Sequence, residues 1–274
     1  MLTRRVLLAA ATAFPLASDA ATNPFADLET RTGARIGVAA LDIGSGRRLL
    51  WRSNERFLMC STFKFLLVAA VLKRIDADLE DGERIIHYGQ TDVLEYAPVT
   101  KLHVAEGMSV LSLCDAAIRY SDNTAGNLLL AALGGPSAVT NFARRLGDPI
   151  TRLDRIEPAL NLADGVHDTT TPESMLRHLD QILLGDVLSV NSRKFLTAWL
   201  YVDTRGDAML RAGLPEHWLV GDKTGRSLAG AVNDIAIAIP PYRAPILIAA
   251  YTAANTTGDS VLAEIGRLVV ARFF

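Results

Sequence analysis

The chain has little of what several protein classes require. It carries only two cysteines in 274 residues, too few for a disulfide-rich scaffold. Its 28 Lys and Arg against 30 Asp and Glu leave a formal net charge of −2, which provides no cationic field for nucleic acid. Its five histidines are scattered, and no pair has the i, i+4 spacing of a helical zinc motif. We therefore expect no metal, no cofactor and no nucleic-acid partner.

Long hydrophobic runs are also scarce, and one of them lies near the N-terminus, where an export signal would be found. Arg4 and Arg5 precede an apolar, Ala-rich segment at 6–16, and small residues follow up to Ala20. This pattern predicts a secretory signal peptide at 1–20, cleaved after Ala20 and too short to be a stable membrane span. The paired arginines leave the twin-arginine and the general secretory routes both open. We expect an exported, periplasmic or secreted monomer that has no membrane segment after cleavage.

The remaining chain has enough apolar residues for a sizeable core, since half of all residues are hydrophobic. Helical periodicity predicts helices at 24–32, 62–76, 109–118, 123–132, 136–146, 172–184, 191–200 and 260–274. Short apolar runs bounded by turn residues predict strands at 35–42, 47–51, 218–224, 233–239 and 246–251.

The order of these elements predicts a mixed α/β (α+β) fold in two domains. Residues 23–58 and 203–274 would form a five-stranded antiparallel sheet, flanked by the N-terminal and C-terminal helices. Residues 59–202 would form an inserted, all-helical domain. Within it, 148–171 has no clear period, and structureless stretches of that length in a compact domain are usually functional loops.

The segment Ser61-Thr62-Phe63-Lys64 opens the most apolar helix. Positions i and i+3 share a helix face, so the hydroxyl of Ser61 and the amine of Lys64 would lie close together. A serine hydroxyl needs a neighbouring base to become a nucleophile, and burial lowers a lysine pKa toward neutrality. The alternative is that Ser61 caps the helix and Lys64 is a solvated residue of the first turn.

Three further motifs follow in chain order. Ser121-Asp122-Asn123 lies in a break between helices, and Glu157 and Asn161 lie in the irregular segment. Lys223-Thr224-Gly225 ends the first strand of the C-terminal part. Taken singly, these could be a helix cap, a solvated loop carboxylate and a strand end. Together they supply a nucleophile, two lysines, a second hydroxyl, amides and a carboxylate.

This set resembles the class A serine β-lactamases, in which Ser-x-x-Lys, Ser-Asp-Asn and Lys-Thr-Gly occur in that order. The resemblance runs from about Pro24 to the C-terminus. The segments 153–161 and 168–172 are similar to the family's omega loop, which would span about 152–170 here. The segment 95–100 resembles the loop whose aromatic residue, here Tyr96, lines the mouth of the site.

The resemblance implies a role in acylation for five residues. Ser61 would attack the lactam carbonyl, with either Lys64 or Glu157, acting through a water, as the base. Backbone N–H groups of Ser61 and Arg226 would form the oxyanion hole. Ser121 would pass a proton to the leaving nitrogen.

It also implies which residues bind the substrate. Lys223 and Thr224, in one motif with Gly225, would hold the substrate carboxylate. Asn123 would hold the side-chain amide, and Tyr96 would line the entrance.

Glu157 and Asn161 would hold the water that hydrolyses the acyl-enzyme. A penicillin-binding protein lacks this step and stays acylated. In the family the Glu-Pro bond is cis, so the bond before Pro158 is expected to be cis. Arg155 and Asp168 resemble the pair that clasps the two ends of the loop. The alternative for that pair is a surface ion pair worth about 0–1 kcal/mol.

The sequence departs from the family pattern in places. Some members pair a cysteine at the position of Cys114 with one at the position of Val68, so that bridge should be absent. Cys60 likewise lacks the partner that carbapenem-hydrolysing members have after Lys-Thr-Gly. The arginine that often assists carboxylate binding is replaced by Val232. Arg226 or Arg205 could substitute, although Arg226 could equally project into solvent.

The expected function is hydrolysis of the β-lactam ring of small-molecule antibiotics through a serine acyl-enzyme, with the substrate range left open. Two rivals share part of the pattern. A cell-wall DD-peptidase has three of the motifs but gives no reason for Glu157 and Asn161. A non-catalytic β-lactam receptor would not need Ser61, Lys64, Glu157 and Lys223 together.

Overall fold

The computed structural model describes residues 23–254 and 256–274, so the predicted signal peptide at 1–20 lies outside the described residues. The helices are α1 (Pro24–Thr32), α2 (Phe63–Ile75), α3 (Val110–Arg119), α4 (Asn123–Leu133), α5 (Ser137–Arg145), α6 (Pro172–Leu179), α7 (Val190–Tyr201), α8 (Leu210–Gly213) and α9 (Ser260–Phe273). The strands are β1 (Arg35–Asp42), β2 (Arg48–Trp51), β3 (Phe57–Leu58), β4 (Ile85–Ile86), β5 (Met108–Ser109), β6 (Thr169–Thr170), β7 (Leu219–Arg226), β8 (Val232–Ile239) and β9 (Ile246–Ala253).

Five strands form one sheet in the order β2-β1-β9-β8-β7, and every neighbouring pair is antiparallel. The first two strands come from the start of the chain and the last three from its end, which confirms the predicted mixed α/β sheet. β1 pairs with β9 along its whole length, from Arg35 opposite Ala253 to Asp42 opposite Ile246. The two ends of the chain are thereby joined in the middle of the sheet, and β7 is left at one edge.

Both faces of the sheet are covered, which explains why its central strands are apolar on both sides. Ala236 and Ala238 of β8 pack in one core with residues of α1 and α9. Ile235 and Ile237 of the same strand pack in the other core, with residues of α2, α3 and α6. Successive side chains of a strand point to opposite faces. The sheet is therefore a layer between two cores.

Helix α2 is the central element of the second core. Ten consecutive residues from Phe63 to Leu72 are buried, so the helix is enclosed on every side. A helix that is apolar all round is expected to be buried in this way. The exception within the run is Lys64, whose side chain is wholly enclosed.

The structure contains short elements that the periodicity did not predict. β3 pairs with β6, and β4 pairs with β5, each over two residues only. The predicted helix at 172–184 ends at Leu179 and continues as a π-helical turn at Asp180–Leu184. Two-residue strands are too short to show an alternating pattern. The β3–β6 ladder matters because it joins the end of the irregular segment to the chain just before Ser61.

The irregular segment 148–171 contains one 3₁₀ turn, Ala159–Asn161, and is held closed at Asp168. This fully buried carboxylate accepts hydrogen bonds from the N–H groups of Asp154 (2.8 Å) and Arg155 (3.0 Å). The Nε of Arg155 donates to it at 2.6 Å. A charge this enclosed must be paired and hydrogen-bonded, so the contact differs from an exposed ion pair.

Both cysteines, Cys60 and Cys114, are buried and unpaired. Among the described residues, no group of three or more His, Cys, Asp or Glu is placed to hold a metal ion. Over the same part of the chain, no helix is both long enough and apolar enough to cross a membrane.

A second buried carboxylate, Asp148, joins α5 and the irregular segment to α6. Its oxygens lie 2.8 Å from Nε2 of His178 and 3.1 Å from the hydroxyl of Ser174, and the N–H of Ile150 donates to it at 2.7 Å. Burial alone would raise the pKa of Asp148. The hydrogen bonds from His178, Thr151 and Ile150 outweigh burial and hold that pKa well below its ordinary value.

We predict that Asp148→Asn lowers the free energy of unfolding at pH 7 by about 1–3 kcal/mol, because charged hydrogen bonds in the interior are lost. A lowered folded-state pKa contributes stability above the unfolded-state pKa, and this contribution is lost as the pH falls through the folded-state pKa. The difference from the parent should therefore shrink below about pH 4. Urea unfolding across this pH range measures it, with exposed Asp186→Asn as the control. A pH-independent difference would contradict the prediction.

Candidate active site

The nucleophile candidate Ser61 lies in a 3₁₀ turn, Cys60–Thr62, that leads directly into α2. Cys60 has a φ of +47°, a conformation that costs energy for a residue with a Cβ. The turn is fixed from two sides. The hydroxyl of Thr62 donates to the carbonyl of Met59 at 2.8 Å. The amide of Asn233 on β8 donates to the same carbonyl at 3.2 Å.

Lys64 is fully buried, and its ammonium group contacts three groups of the site. Its Nζ lies 3.2 Å from the hydroxyl of Ser61, 2.7 Å from the carbonyl of Ser121 and 2.6 Å from Oδ1 of Asn123. Burial lowers the pKa of Lys64, Glu157 opposes the change and the nearby charge of Lys223 adds to it, so that the pKa is about 8. Near neutral pH this amine can therefore both hold and release a proton.

Glu157 is the second group that reaches Ser61. Its Oε1 lies 3.4 Å from the Ser61 hydroxyl and 3.2 Å from Nζ of Lys64, and neither charged side chain is exposed. Its Oε2 accepts a hydrogen bond of 2.5 Å from the amide of Asn161. The peptide bond between Glu157 and Pro158 is cis, as the resemblance implied.

Asn127 was not predicted, although it fixes the backbone of Glu157. Its Oδ1 accepts from the N–H of Glu157 at 2.9 Å, and its Nδ2 donates to the Glu157 carbonyl at 3.0 Å. Asn127 lies four residues after Asn123, and residues four apart share one face of a helix. That spacing was the available signal, because it places a second amide on the face of α4 that carries Asn123.

The Ser121-Asp122-Asn123 motif proves to be both a helix cap and part of the site. Asp122 is the N-cap of α4 and accepts from the N–H of Ala125 at 2.9 Å. Its carboxylate also accepts from the N–H groups of Val99 and Thr100, at 3.0 and 2.9 Å. Ser121, the residue before this N-cap, has a φ of +56°, so its backbone is left-handed and does not continue the helix. This buried aspartate therefore fixes the two site residues that flank it.

Lys223 and Thr224 lie on the edge strand β7 and are both buried. The Nζ of Lys223 donates to the hydroxyl of Ser121 at 3.1 Å, which links the sheet edge to the start of α4. Gly225 allows the strand to approach the nucleophile turn. A Cβ on Gly225 would lie 2.8 Å from the carbonyl of Met59 and 3.1 Å from the N–H of Ser61. The contact with the Met59 carbonyl is too short for a side chain to fit unless the backbone shifts.

Three buried aspartates lie behind Lys223, namely Asp203, Asp222 and Asp234. Burial raises the pKa of all three, and for Asp222 it raises the pKa to about 7. Arg211 forms an ion pair with Asp222 and opposes that rise. Asp203 lies 4.0 Å from Nζ of Lys223. Burial lowers the pKa of Lys223, and these carboxylates counteract the change, so they favour the ammonium form.

Tyr96 and Arg226 lie at the edges of the site. Tyr96 is 38% exposed, its hydroxyl donates to the carbonyl of Tyr120 at 3.2 Å, and its own carbonyl accepts from the N–H of Asn123 at 3.0 Å. Arg226 is exposed, and its guanidinium forms an ion pair with Asp259, the N-cap of α9.

The structure therefore brings most of the predicted residues into one hydrogen-bonded network and places the others around it. The network comprises Ser61, Lys64, Ser121, Asn123, Glu157, Asn161 and Lys223. Thr224, Gly225, Arg226 and Tyr96 border it on two sides.

Comparison with known proteins identifies the family of this chain. The sequence pattern of the Beta-lactamase enzyme family matches residues 20–273. The chain is 47% identical over 252 residues to the β-lactamase AST-1 of Nocardia asteroides, covering 90% of this chain and 81% of that protein. It is 42% identical over 247 residues to the β-lactamase OXY-2 of Klebsiella oxytoca, covering 89% and 85%.

Solved structures agree with this assignment. The structure superposes on an ancestral class A β-lactamase (GNCA) with a TM-score of 0.89 at 54% identity, covering 91% of this chain and 98% of that one. A second ancestral class A enzyme, GNCA4, gives the same TM-score at 55% identity, covering 92% and 98%. This protein therefore belongs to the β-lactamase enzyme family and has the class A fold.

Proposed function

We propose that this protein hydrolyses the amide bond of β-lactam rings through an acyl-enzyme formed on Ser61. The observation that carries the proposal is the position of the Ser61 hydroxyl, which lies within 3.4 Å of both Lys64 and Glu157. A nucleophile beside two groups able to take its proton is the arrangement that nucleophilic catalysis requires. The family relationship supports the same reaction.

In the acylation step, Ser61 Oγ attacks the lactam carbonyl while its proton leaves to a base. Lys64 accepts it directly when neutral, or Glu157 accepts it through a water molecule. The N–H groups of Ser61 and Arg226 stabilise the oxyanion. Gly225 allows β7, which carries Arg226, to approach the turn that carries Ser61. Ser121, whose hydroxyl accepts a hydrogen bond from Lys223, relays to the leaving nitrogen the proton that the base took from Ser61, so its own hydroxyl is restored.

In the deacylation step, Glu157 and Asn161 position the hydrolytic water. Glu157 acts as its general base, because the carboxylate is fixed by Asn161 and, through its backbone, by Asn127. Oδ1 of Asn161 is buried and has no hydrogen-bond partner among the described residues, so it is available as an acceptor for a water. These groups favour a hydrolase over a cell-wall DD-peptidase, which has no use for them.

Substrate binding would use the groups around the network. Lys223 and Thr224 bind the carboxylate of the substrate, since a buried ammonium beside a hydroxyl suits that anion. Asn123 binds the side-chain amide, and Tyr96 packs against the substrate at the entrance. The β-lactam antibiotics are the substrate class.

We also propose the wider organisation expected from the sequence. Residues 23–58 and 203–274 would act as the sheet domain and 59–202 as the inserted domain. The protein would be exported with cleavage after Ala20, and would act as a monomer free of the membrane. N-terminal sequencing of the protein from the cell envelope and light scattering of the purified protein test these points. An uncleaved N-terminus or a dimeric mass would contradict them.

We predict that Ser61→Ala abolishes turnover of a penicillin, with a loss of at least about 10⁴-fold, because the acyl-enzyme cannot form. Initial rates measure the loss, and mass spectrometry should detect no covalent adduct. Ser45→Ala, a change of the same type in an exposed turn, serves as the control. A comparable loss in the control would contradict the assignment.

We predict that Glu157→Gln accumulates the acyl-enzyme and lowers turnover by more than about 100-fold, because the general base for deacylation is removed. Mass spectrometry of the protein mixed with a penicillin should show the mass of the ring-opened adduct. Exposed Glu83→Gln is the matched control and should show free enzyme only. Turnover at the parent rate would exclude this role for Glu157.

The same Glu157→Gln variant distinguishes the two candidate bases for acylation. If Lys64 is the base, the acylation rate should rise with pH and level off once the neutral amine has formed. The midpoint in this variant should lie below about 8, because the charge of Glu157 raises the pKa of Lys64 in the parent. Stopped-flow measurement of adduct formation from about pH 6 to about pH 9 gives the dependence of the acylation rate on pH. A rate that is low and independent of pH would identify Glu157 as the base.

A further inference from the structure

A cleft outside the active site lies where the C-terminal ends of α2 and α4 meet α5. Its volume is about 470 Å³, which is within the range of small-molecule pockets. None of the residues that line it belongs to the network around Ser61. Apolar side chains from the three helices and from the loop after α2 contribute most of the lining, namely Ala70, Ala77, Leu79, Leu133 and Ala138.

The polar part of this lining is cationic. It consists of Lys73, Arg74, Arg145 and the neutral Asn141, and no Asp or Glu is among the described residues that line the cleft. Lys73 and Arg145 are exposed, and neither forms an ion pair within residues 23–254 and 256–274. The guanidinium carbon of Arg145 lies 5.9 Å from the centre of the Phe142 ring. The cleft therefore combines an apolar lining with positive charges that no carboxylate neutralises.

Helical spacing explains how the apolar and the charged groups come together. The lining positions are 70, 73, 74 and 77 on α2 and the turn after it, and 138, 141 and 145 on α5. Residues three, four and seven apart share one face of a helix, so each set forms one wall. Ala70 is only 5% exposed, whereas Lys73 and Arg145 are exposed. The charges thus stand at the rim of an apolar floor.

Arg74 carries a hydrogen-bond donor that no group in the described part of the chain satisfies. Its Nη2 donates to the carbonyl of Leu79 at 2.9 Å, which holds the side chain against the loop after α2. Its Nε is buried and has no hydrogen-bond partner among the described residues. A buried donor without an acceptor costs free energy, so a ligand that brings an acceptor into the cleft is favoured.

Two carboxylates outside the cleft lie near these cations, and both are engaged by other groups. The oxygens of Asp76 accept hydrogen bonds from the hydroxyls of Ser189 and Ser192, each at 2.6 Å. Glu80 forms an ion pair with Arg84 at 2.8 Å. Neither carboxylate lines the cleft. The positive charges at the rim therefore remain available to an anion that enters from solvent.

We propose that this cleft binds a small amphipathic anion, namely a carboxylate attached to a short alkyl chain. The alkyl chain packs on the apolar floor, and the carboxylate lies within reach of Lys73, Arg74 and Arg145. Arginine can bind both oxygens of a carboxylate through its planar guanidinium, and lysine adds a compact positive charge. Charge complementarity favours this ligand over a neutral or a cationic one with the same chain. The inference does not depend on the proposed β-lactam hydrolysis.

The position of the cleft implies that its ligand and a substrate bind at the same time. Lys64 lies in the first turn of α2 and Lys73 in its last, so about 14 Å along the helix axis separates them. A short alkyl carboxylate in the cleft does not span that distance. A penicillin should therefore not displace it.

The probe is octanoate, measured below its micelle concentration by calorimetry and ligand-detected NMR. We expect saturable binding with a Kd on the order of 0.1–1 mM, because the cleft is small and open to solvent. Octan-1-ol has the same chain without the charge, octylammonium has the opposite charge, and acetate has the charge without the chain. Each should bind at least about tenfold more weakly than octanoate, because each lacks one of the two matched features.

Matched variants separate the charges from the apolar floor. The double variant Lys73→Gln/Arg145→Gln should raise the Kd of octanoate at least about tenfold and change that of octan-1-ol less than about twofold. Lys101→Gln/Arg272→Gln makes the same charge change at exposed positions elsewhere and should leave both values unchanged. Ala138→Phe, which fills the cleft, should weaken both ligands. Urea unfolding checks that each variant is folded, and the charge variants decide the question if Ala138→Phe is not.

Four results would overturn the proposal. They are an absence of saturable octanoate binding, equal affinity for octan-1-ol, equal losses in the two double variants, and displacement of octanoate by a penicillin, which would place the ligand in the active site. Octanoate binding that the Lys73 and Arg145 changes weaken, and that penicillin leaves intact, would support it. Penicillin turnover by the parent tests the proposed function separately, so an inactive parent that still binds octanoate would contradict that function alone.

Discussion

The enclosed ion pair between Lys64 and Glu157 is the interaction on which the rest of the site depends. Their charged atoms lie 3.2 Å apart, and neither side chain is exposed. Two charges removed from water are tolerated only if each is also hydrogen-bonded. Ser61, Ser121 and Asn123 complete the contacts of the ammonium group, and Asn161 completes those of the carboxylate. The groups proposed for catalysis are thus the same groups that make this burial affordable.

This requirement explains why so much of the fold serves to fix backbone near one point. Asp122 caps α4 and holds the neighbouring loop, Asn127 holds Glu157, and Asn233 holds the turn before Ser61. Gly225 removes the side chain that would keep β7 away from that turn. Four segments from distant parts of the chain therefore meet with little freedom of movement. They are the turn before α2, the start of α4, the segment that carries Glu157, and β7. Such rigidity suits a site in which a proton must move between groups about 3 Å apart.

A good part of this could be predicted from the sequence. The apolar patterns at 35–42 and 24–32 predicted the bounds of β1 and α1, because an apolar run and the turn residues at its ends are local features of the sequence. The four motifs gave the network itself. The periodicity could not give the two-residue ladders β3–β6 and β4–β5, since their pairing depends on contacts distant in sequence. Asp203 and Asn233 were missed for the same reason, because each acts through a partner that only folding brings near. Asn127 was missed although its spacing from Asn123 was a local signal.

The sequence by itself determined the elements, the family and the chemical groups available, because these depend on residue type and on spacing within one segment. It left two arginines as equal candidates for the carboxylate of the substrate. Only the tertiary structure shows their partners, because folding pairs Arg226 with Asp259 and places Arg205 over the ring of Tyr96. The physical reason is that the interactions open to a charged side chain depend on the groups around it. Those groups come from segments that the chain brings together only when it folds.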